Sequence, residues 1–214
     1  MTNALTKLVL GAMGAMRPAP AKGASPATRV LPAPQRSGGM PLMEALDKRR
    51  SSRSYRPDAL SEQQLADMLW AATGQNRSGG GRTAPSALNA QEIEVIVALP
   101  EGAYRYEPAS HHLELLAAAD LRRVSGYQDF VDEAPLDLIF VANHDKLKMV
   151  PAAQRSAYAH VAAGAIAQNV YLWAASAGLA TVIRAWIDRE AIASALGLAH
   201  DHEVLLSQTV GFEK

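Results

Sequence analysis

The sequence predicts an α+β domain, a central sheet flanked by helices. Three observations carry that expectation. Residues Ile93 to Leu99 place Ile93, Val95, Val97 and Leu99 at the two-residue period of a half-buried strand. Residues Gln154 to Ala177 form an Ala-rich helical run that ends at Gly178. The predicted order is helix, helix, strand, hairpin, strand, long helix, strand, helix, strand. That mixture lacks the regular alternation of a parallel βαβ sheet.

The chain has 214 residues, 49% of them hydrophobic, enough for one domain with a sizeable core. Met1 to Met16 carries a single lysine and a short apolar stretch broken by glycine. It reads as a flexible arm, a start placed too early or a degenerate signal peptide, so a cytoplasmic location is expected with a periplasmic one as the alternative. Residues 17–41 are rich in Pro, Ala, Gly and Ser and read as an extended arm, giving a division into an arm at 1–40 and a domain at 41–214. Pro41 opens a short helix with Leu42, Ala45 and Leu46 at helical spacing. Ser61-Glu62-Gln63-Gln64 is a capping box, and Leu65, Met68, Leu69 and Ala72 form the buried stripe behind it, ending near Gly74.

Gln75 to Arg82 (QNRSGGGR) reads as a mobile loop. Its glycines suggest a phosphate cradle, but no Gly-Lys-Ser/Thr follows, so it is not a P-loop. After the Ile93 strand, Tyr104-Arg105-Tyr106, a turn at Pro108-Ala109-Ser110 and His112 to Leu115 read as a hairpin. Leu136 to Ala142 is nearly all apolar, as in a central strand. The Gln154–Ala177 helix is apolar on almost every side and studded with small residues, which suits a subunit interface. Ala180 to Arg184, a helix capped by Asp188, and Val204 to Val210 complete the series.

Charge and motif content exclude several functions. Lys+Arg and Asp+Glu are both 21, so the basic excess of a general nucleic-acid binder is absent. There is no cysteine, which removes disulfides, Cys-ligated zinc and thiol catalysis. No apolar run is long enough to cross a bilayer. The His111-His112 and His200/His202 pairs lack metal-binding helical spacing, and no G-x-S-x-G elbow occurs, so no metal site and no catalytic side chain is expected.

Two polar segments remain. Arg49-Arg50-Ser51-Ser52-Arg53-Ser54-Tyr55 packs three guanidiniums and three serine hydroxyls into seven residues, the donor chemistry of a phosphate site or simply a wet surface. It follows the C-terminal end of a helix, so side chains would have to do the binding. Thr83-Ala84-Pro85-Ser86-Ala87-Leu88-Asn89-Ala90-Gln91 presents a hydroxyl and amides just before a strand. It is either a turn with local hydrogen bonds or a site for a heterocycle that offers both donors and acceptors.

Together with the late Ala180-to-Asp188 segment (ATVIRAWID), Gly102 to Leu116, Ala163 to Val182 and the terminal SQTVGFEK, these segments resemble the nitroreductase superfamily of FMN-dependent oxidoreductases, in the branch related to SagB-type dehydrogenases. The resemblance runs from about Pro41 to Lys214. It implies a mostly antiparallel sheet and a homodimer with the long helix at its interface and FMN between the subunits. It also implies that Arg49, Arg50, Ser51 and Arg53 contact the phosphate and ribityl chain, with Lys214 adding charge. Pro85, Ser86 and Asn89 would come from the other subunit, with Asn89 toward the flavin ring. Ile183, Arg184, Ala185 and Trp186 would form the turn along the ring, with Arg184 near its N1–C2 edge and Trp186 narrowing the substrate space. The chemistry implied is ping-pong hydride transfer from NADH or NADPH through flavin N5 to a nitroaromatic, quinone-like or related small-molecule acceptor. Two alternatives are a SagB-like dehydrogenase acting on a peptide or small molecule, and a non-catalytic FMN-binding or storage protein.

Overall fold

A computed structural model of the chain describes residues 4–214. The N-terminal reading extends to Met1–Asn3, which lie outside the described residues. Helix α1 (Ala4–Ala12) and strands β1 (Ala19–Pro20) and β2 (Thr28–Val30) precede helices α2 (Leu42–Lys48) and α3 (Glu62–Thr73). Strands β3 (Ile93–Leu99), β4 (Gly102–Glu107), β5 (His112–Ala117), β6 (Ala119–Asp120) and β7 (Leu136–Asn143) follow. The long helix α4 (Ala152–Ala177), strand β8 (Ala180–Arg184), helix α5 (Arg189–Leu196) and strand β9 (His202–Gly211) complete the chain.

The main sheet has seven strands in the order β2-β5-β4-β3-β7-β9-β8, and every neighbouring pair is antiparallel. This is the α+β arrangement that the element order predicts. Strand β7 lies mid-sheet and is buried from Leu136 through Ala142. Because successive strand residues face opposite sides, Val95, Val97, Leu138 and Phe140 pack with α3 and α4 on one face. Ile96, Ala98, Ile139 and Val141 pack with Ile192 and Leu196 of α5 on the other. Truncating Phe140 to alanine would cost about 3–5 kcal/mol from lost burial and the cavity left behind.

Local signals account for the helix ends. Ser61 and Gln64 close a reciprocal capping box at α3. Gly178 at φ 69° and Gly197 at φ 62° end α4 and α5 in the left-handed region, where a side chain is strained. The Asp188 side chain accepts the Ala191 N–H at the start of α5.

The segment before Pro41 differs from a free arm. Thr28 to Val30 pairs with β5, completing an edge whose backbone groups would otherwise be open. The Arg29 guanidinium ties this strand to Glu62 and to Glu101 at 2.9 Å. Further upstream, α1 docks through Lys7, which is fully buried and holds Asp132 at 2.9 Å while donating to the Gln128 carbonyl. Proline and small residues leave the backbone extended, and the sheet edge gives it a partner. Among the described residues, no helix is long and apolar enough to cross a membrane.

Candidate functional site

Past α2 the chain runs extended, so alternate side chains of residues 49–53 diverge. On one side, the Arg49 guanidinium lies 5.3 Å from the Tyr171 ring centroid, and Ser51 Oγ lies 2.8 Å from the Tyr171 hydroxyl. On the other, Arg50 pairs with Glu213, and Ser52 Oγ donates to Glu213 Oε1 at 2.8 Å. These bonds hold the Glu213 carboxyl below the usual carboxylate range, the one from Ser52 most. Buried Tyr55 anchors the segment by donating to the Ser52 carbonyl at 2.6 Å. Burial pushes its phenol far above the ordinary range, and the charge of Asp137 adds to that. The result is a cleft of about 530 Å³ lined by Arg49, Arg50, Ser52, Tyr171, Thr181 and Glu213. Arg53 is exposed and does not line the cleft.

Tyr171 joins this segment to β8. Its hydroxyl accepts the Ile183 N–H at 3.0 Å and shares a second hydrogen bond with Ser51 Oγ. Sequence reasoning missed Tyr171, since a lone hydroxyl in an apolar helix reads as core. Its signal is visible only afterwards, as a polar tip near the end of a helix packed on β8.

Arg184 does not present its charge to this cleft. Its guanidinium is buried and donates to Asp137 Oδ1 at 2.7 Å, the Ser125 carbonyl at 2.5 Å, Ser207 Oγ at 3.0 Å and Thr209 Oγ1 at 3.1 Å. Gly126 makes room, because a Cβ there would meet Arg184 Nη1 at 1.8 Å. The expected role near a flavin N1–C2 edge therefore gives way to an internal ion pair that fixes the end of β8. Lys214 is exposed, with its ammonium in a surface pair 2.6 Å from Glu133 Oε2. Beyond Arg184, Ala185 is exposed and the Trp186 indole is 48% exposed, resting 5.4 Å from the Tyr127 ring.

The Thr83–Gln91 segment forms a strained, well-bonded turn. Leu88, Asn89 and Gln91 all have φ between 52° and 55°, costing about 1–3 kcal/mol each. Ser86 Oγ accepts the Gln91 N–H at 2.9 Å. The Gln91 amide donates to the Gly80 carbonyl at 2.8 Å and to Asn89 Oδ1 at 3.2 Å. Asn89 is thus exposed, oriented through its oxygen and free to donate from its amide nitrogen. Pro85 and Ser86 border an apolar cleft of about 470 Å³ against Ala157, Tyr158 and Val161 of α4.

A single chain does not unite these parts. The Arg49 cleft meets α4 near Tyr171–Gly178, whereas the Ser86 cleft meets it near Ala157–Ala162. Their centres lie about 23 Å apart along the helix at 1.5 Å per residue. Between them α4 is not buried all round, as its composition suggests. Tyr158, Val161, Gly164 and Gln168 form an open stripe, with Val161 75% exposed.

The profile of the nitroreductase family matches residues 46–212. A candidate nitroreductase of Methanocaldococcus jannaschii is 34% identical over 160 residues, which are 70% of this chain and 81% of that protein. The crystal structure of a candidate nitroreductase from Ralstonia eutropha JMP134 is 50% identical, with a TM-score of 0.89 over 93% of this chain and 95% of that one. A chain of the E. coli microcin synthetase complex with truncated pro-MccB17 bound shares the fold, at 21% identity and a TM-score of 0.68 over 86% of this chain and 78% of that one. A family profile covering most of the chain, a relative 50% identical over 93% of it and a matching antiparallel sheet place this protein in the nitroreductase family of oxidoreductases.

Proposed function

We propose that the chain works as a homodimer that binds FMN between its subunits and passes electrons from NADH or NADPH to a small acceptor such as a nitroaromatic or a quinone. One observation carries this reading: two polar motifs lie at opposite ends of an exposed stripe on α4 that is small or apolar at Val161 and Gly164 and flanked by Tyr158 and Gln168. Two such helices crossing antiparallel about a two-fold axis bury both stripes. The same operation brings the Asn89 turn of one subunit beside the Arg49 cleft of the other.

The donor set fits a flavin mononucleotide. Arg49 and Arg53 carry charge that no carboxylate within 4 Å neutralises among the described residues, and Ser51 adds a hydroxyl. Such a set suits a phosphate dianion. When bound, FMN supplies the hydride chemistry. Tyr171 orients Ser51 and fixes the Ile183 backbone, so one hydroxyl registers the anion site against the Ile183–Trp186 turn. The partner's turn supplies Pro85 and Ser86 as a wall and Asn89 as the amide for the ring. Trp186 restricts access from its side, and the Arg184–Asp137 pair holds the turn in place. No side chain is assigned as a general base.

Subunit mixing tests the composite site. Arg49→Ala and Asn89→Ala homodimers should each lose most NAD(P)H turnover. Unfolding and refolding them together should restore activity, because a mixed dimer holds one site with both residues intact. A mixture no more active than its parents would place both residues in one subunit's site and remove the reading.

A further inference from the structure

A third cleft, of about 440 Å³, lies on the outer side of the Gln75–Arg82 loop and is lined by Arg36, Trp70, Asn76, Arg77 and His111 among others. The loop is closed by a Gln75–Arg82 bridge and carries Gly79 at φ 88° and Gly80 at φ 82°. The Arg77 guanidinium folds back on it. A Cβ at Gly81 would meet Arg77 Nε at 2.2 Å, so the guanidinium lies directly against the loop backbone. Arg77 Nη1 donates to Asn76 Oδ1 at 2.7 Å and to the Arg82 carbonyl at 3.2 Å, both neutral acceptors.

Across the cleft, Arg36 sits 5.3 Å from the centroid of the Trp70 ring. Neither guanidinium has a carboxylate within 4 Å among the described residues, and no acidic residue lines the cleft. The nearby Asp67 carboxylate accepts the Gln35 N–H and the Gln63 amide through Oδ1 and does not line the cleft. His111 is a neutral post. Its Nε2–H donates to the Pro32 carbonyl at 3.0 Å, and its Nδ1 accepts from the Tyr106 hydroxyl at 2.7 Å. The cleft therefore offers two uncompensated arginines beside aromatic and neutral walls, which suits a phosphorylated purine nucleoside.

The loop also reaches the Asn89 turn. Gln91 donates to the Gly80 carbonyl and to Asn89 in one bonded chain, so the cleft and the amide proposed for the flavin ring flank the same loop. A dinucleotide with its nicotinamide at the ring could reach the cleft with its adenosine end. In Rossmann folds a carboxylate holds the ribose diol of NAD and an arginine accommodates the 2′-phosphate of NADP, and the charge of that phosphate makes the same demand on any fold. This cleft has the arginines and lacks the carboxylate.

We propose that Arg36 and Arg77 bind the adenosine 2′-phosphate of NADPH and make NADPH the preferred reductant. This rests on the oxidoreductase reading above and names its reductant. The test uses the FMN-loaded full chain and its Arg36→Ala, Arg77→Ala and Arg77→Lys variants, all surface changes. Wild type should show a KM for NADPH about tenfold or more below that for NADH. Each alanine variant should raise the NADPH value about tenfold, with the NADH value and bound FMN changing less than about twofold, and Arg77→Lys should fall between. No shift would overturn the proposal. So would equal shifts for both reductants, which would mean a site for the shared pyrophosphate.

A calorimetric titration of the purified chain with adenosine 2′,5′-bisphosphate, against 5′-AMP, separates this proposal from the flavin reading. Selective binding that the alanine variants lose supports the subsite even in a chain that turns nothing over. Equal binding of the two nucleotides, or none, overturns it.

Discussion

Asp137 is fully buried in β7, where it accepts from Arg184, Ser125 Oγ and Thr209 Oγ1. Asp137→Ala would leave the Arg184 charge buried without its partner and should cost about 3–5 kcal/mol of stability, measurable by urea unfolding. Glu92 poses the opposite problem, since it is fully buried with neither carboxylate oxygen hydrogen-bonded. Burial raises its carboxyl above the ordinary value of 4.5. Both folded and unfolded chains hold the proton below that value. As pH rises past it, the unfolded chain releases the proton first, so stability falls until the folded carboxyl ionises as well. Glu92→Gln should therefore gain stability over wild type as pH rises from about 4.5 towards neutrality, read from melting temperatures across pH. A constant difference across that range would contradict the assignment. At this scale the sequence was least legible. The cation cluster at Arg49–Arg53 is visible in the string, but its sorting into Arg49 and Ser51 on one side and Arg50 and Ser52 on the other needs the backbone conformation. The partners of Arg184 and Lys214 lie 47 and 81 residues away, so no local spacing reveals that their charges are already taken.

Helix α4 shows what an element adds. Its buried face follows from the sequence, since Ala163, Ile166, Val170 and Ala174 pack into the core at helical spacing. The open stripe is harder to read, because Ala and Gly look alike on either face. Val161→Glu places a charge at the centre of that stripe. If the proposed dimer and its flavin site hold, it should leave the fold intact, give monomers in sedimentation velocity where the wild type gives dimers, and abolish flavin binding. A flavin-loaded monomer would separate cofactor binding from dimerisation. Gly178→Ala, at φ 69°, should lower stability by about 1 kcal/mol by forcing a side chain into the left-handed region. Strand β7 was legible for a simpler reason, its nearly unbroken apolar run. Strand β3 was found by its alternation, but it is not half-buried as that period implies, because Ile96 and Ala98 are covered by α5 on the other face. The N-terminal strap was not, because Thr28 to Val30 becomes a strand only when the β5 edge pairs with it.

For the whole molecule, the antiparallel sheet supports one long helix with a cleft at each end, the Arg49 cleft at one and the Ser86 cleft at the other. The sheet and α5 hold the Ile183–Trp186 turn rigid, and the strained Asn89 turn is braced by Gln91. Under the proposed two-fold, the two half-sites of each chain would make two whole sites per dimer. The most direct test is the visible absorption spectrum of the purified protein before and after anaerobic addition of NADPH. A yellow dimer with about one FMN per chain that bleaches on addition, and recovers its colour with a quinone or nitroaromatic, is the predicted result. A protein that remains colourless after incubation with FMN, or a yellow one that neither NADPH nor NADH bleaches, would contradict the account.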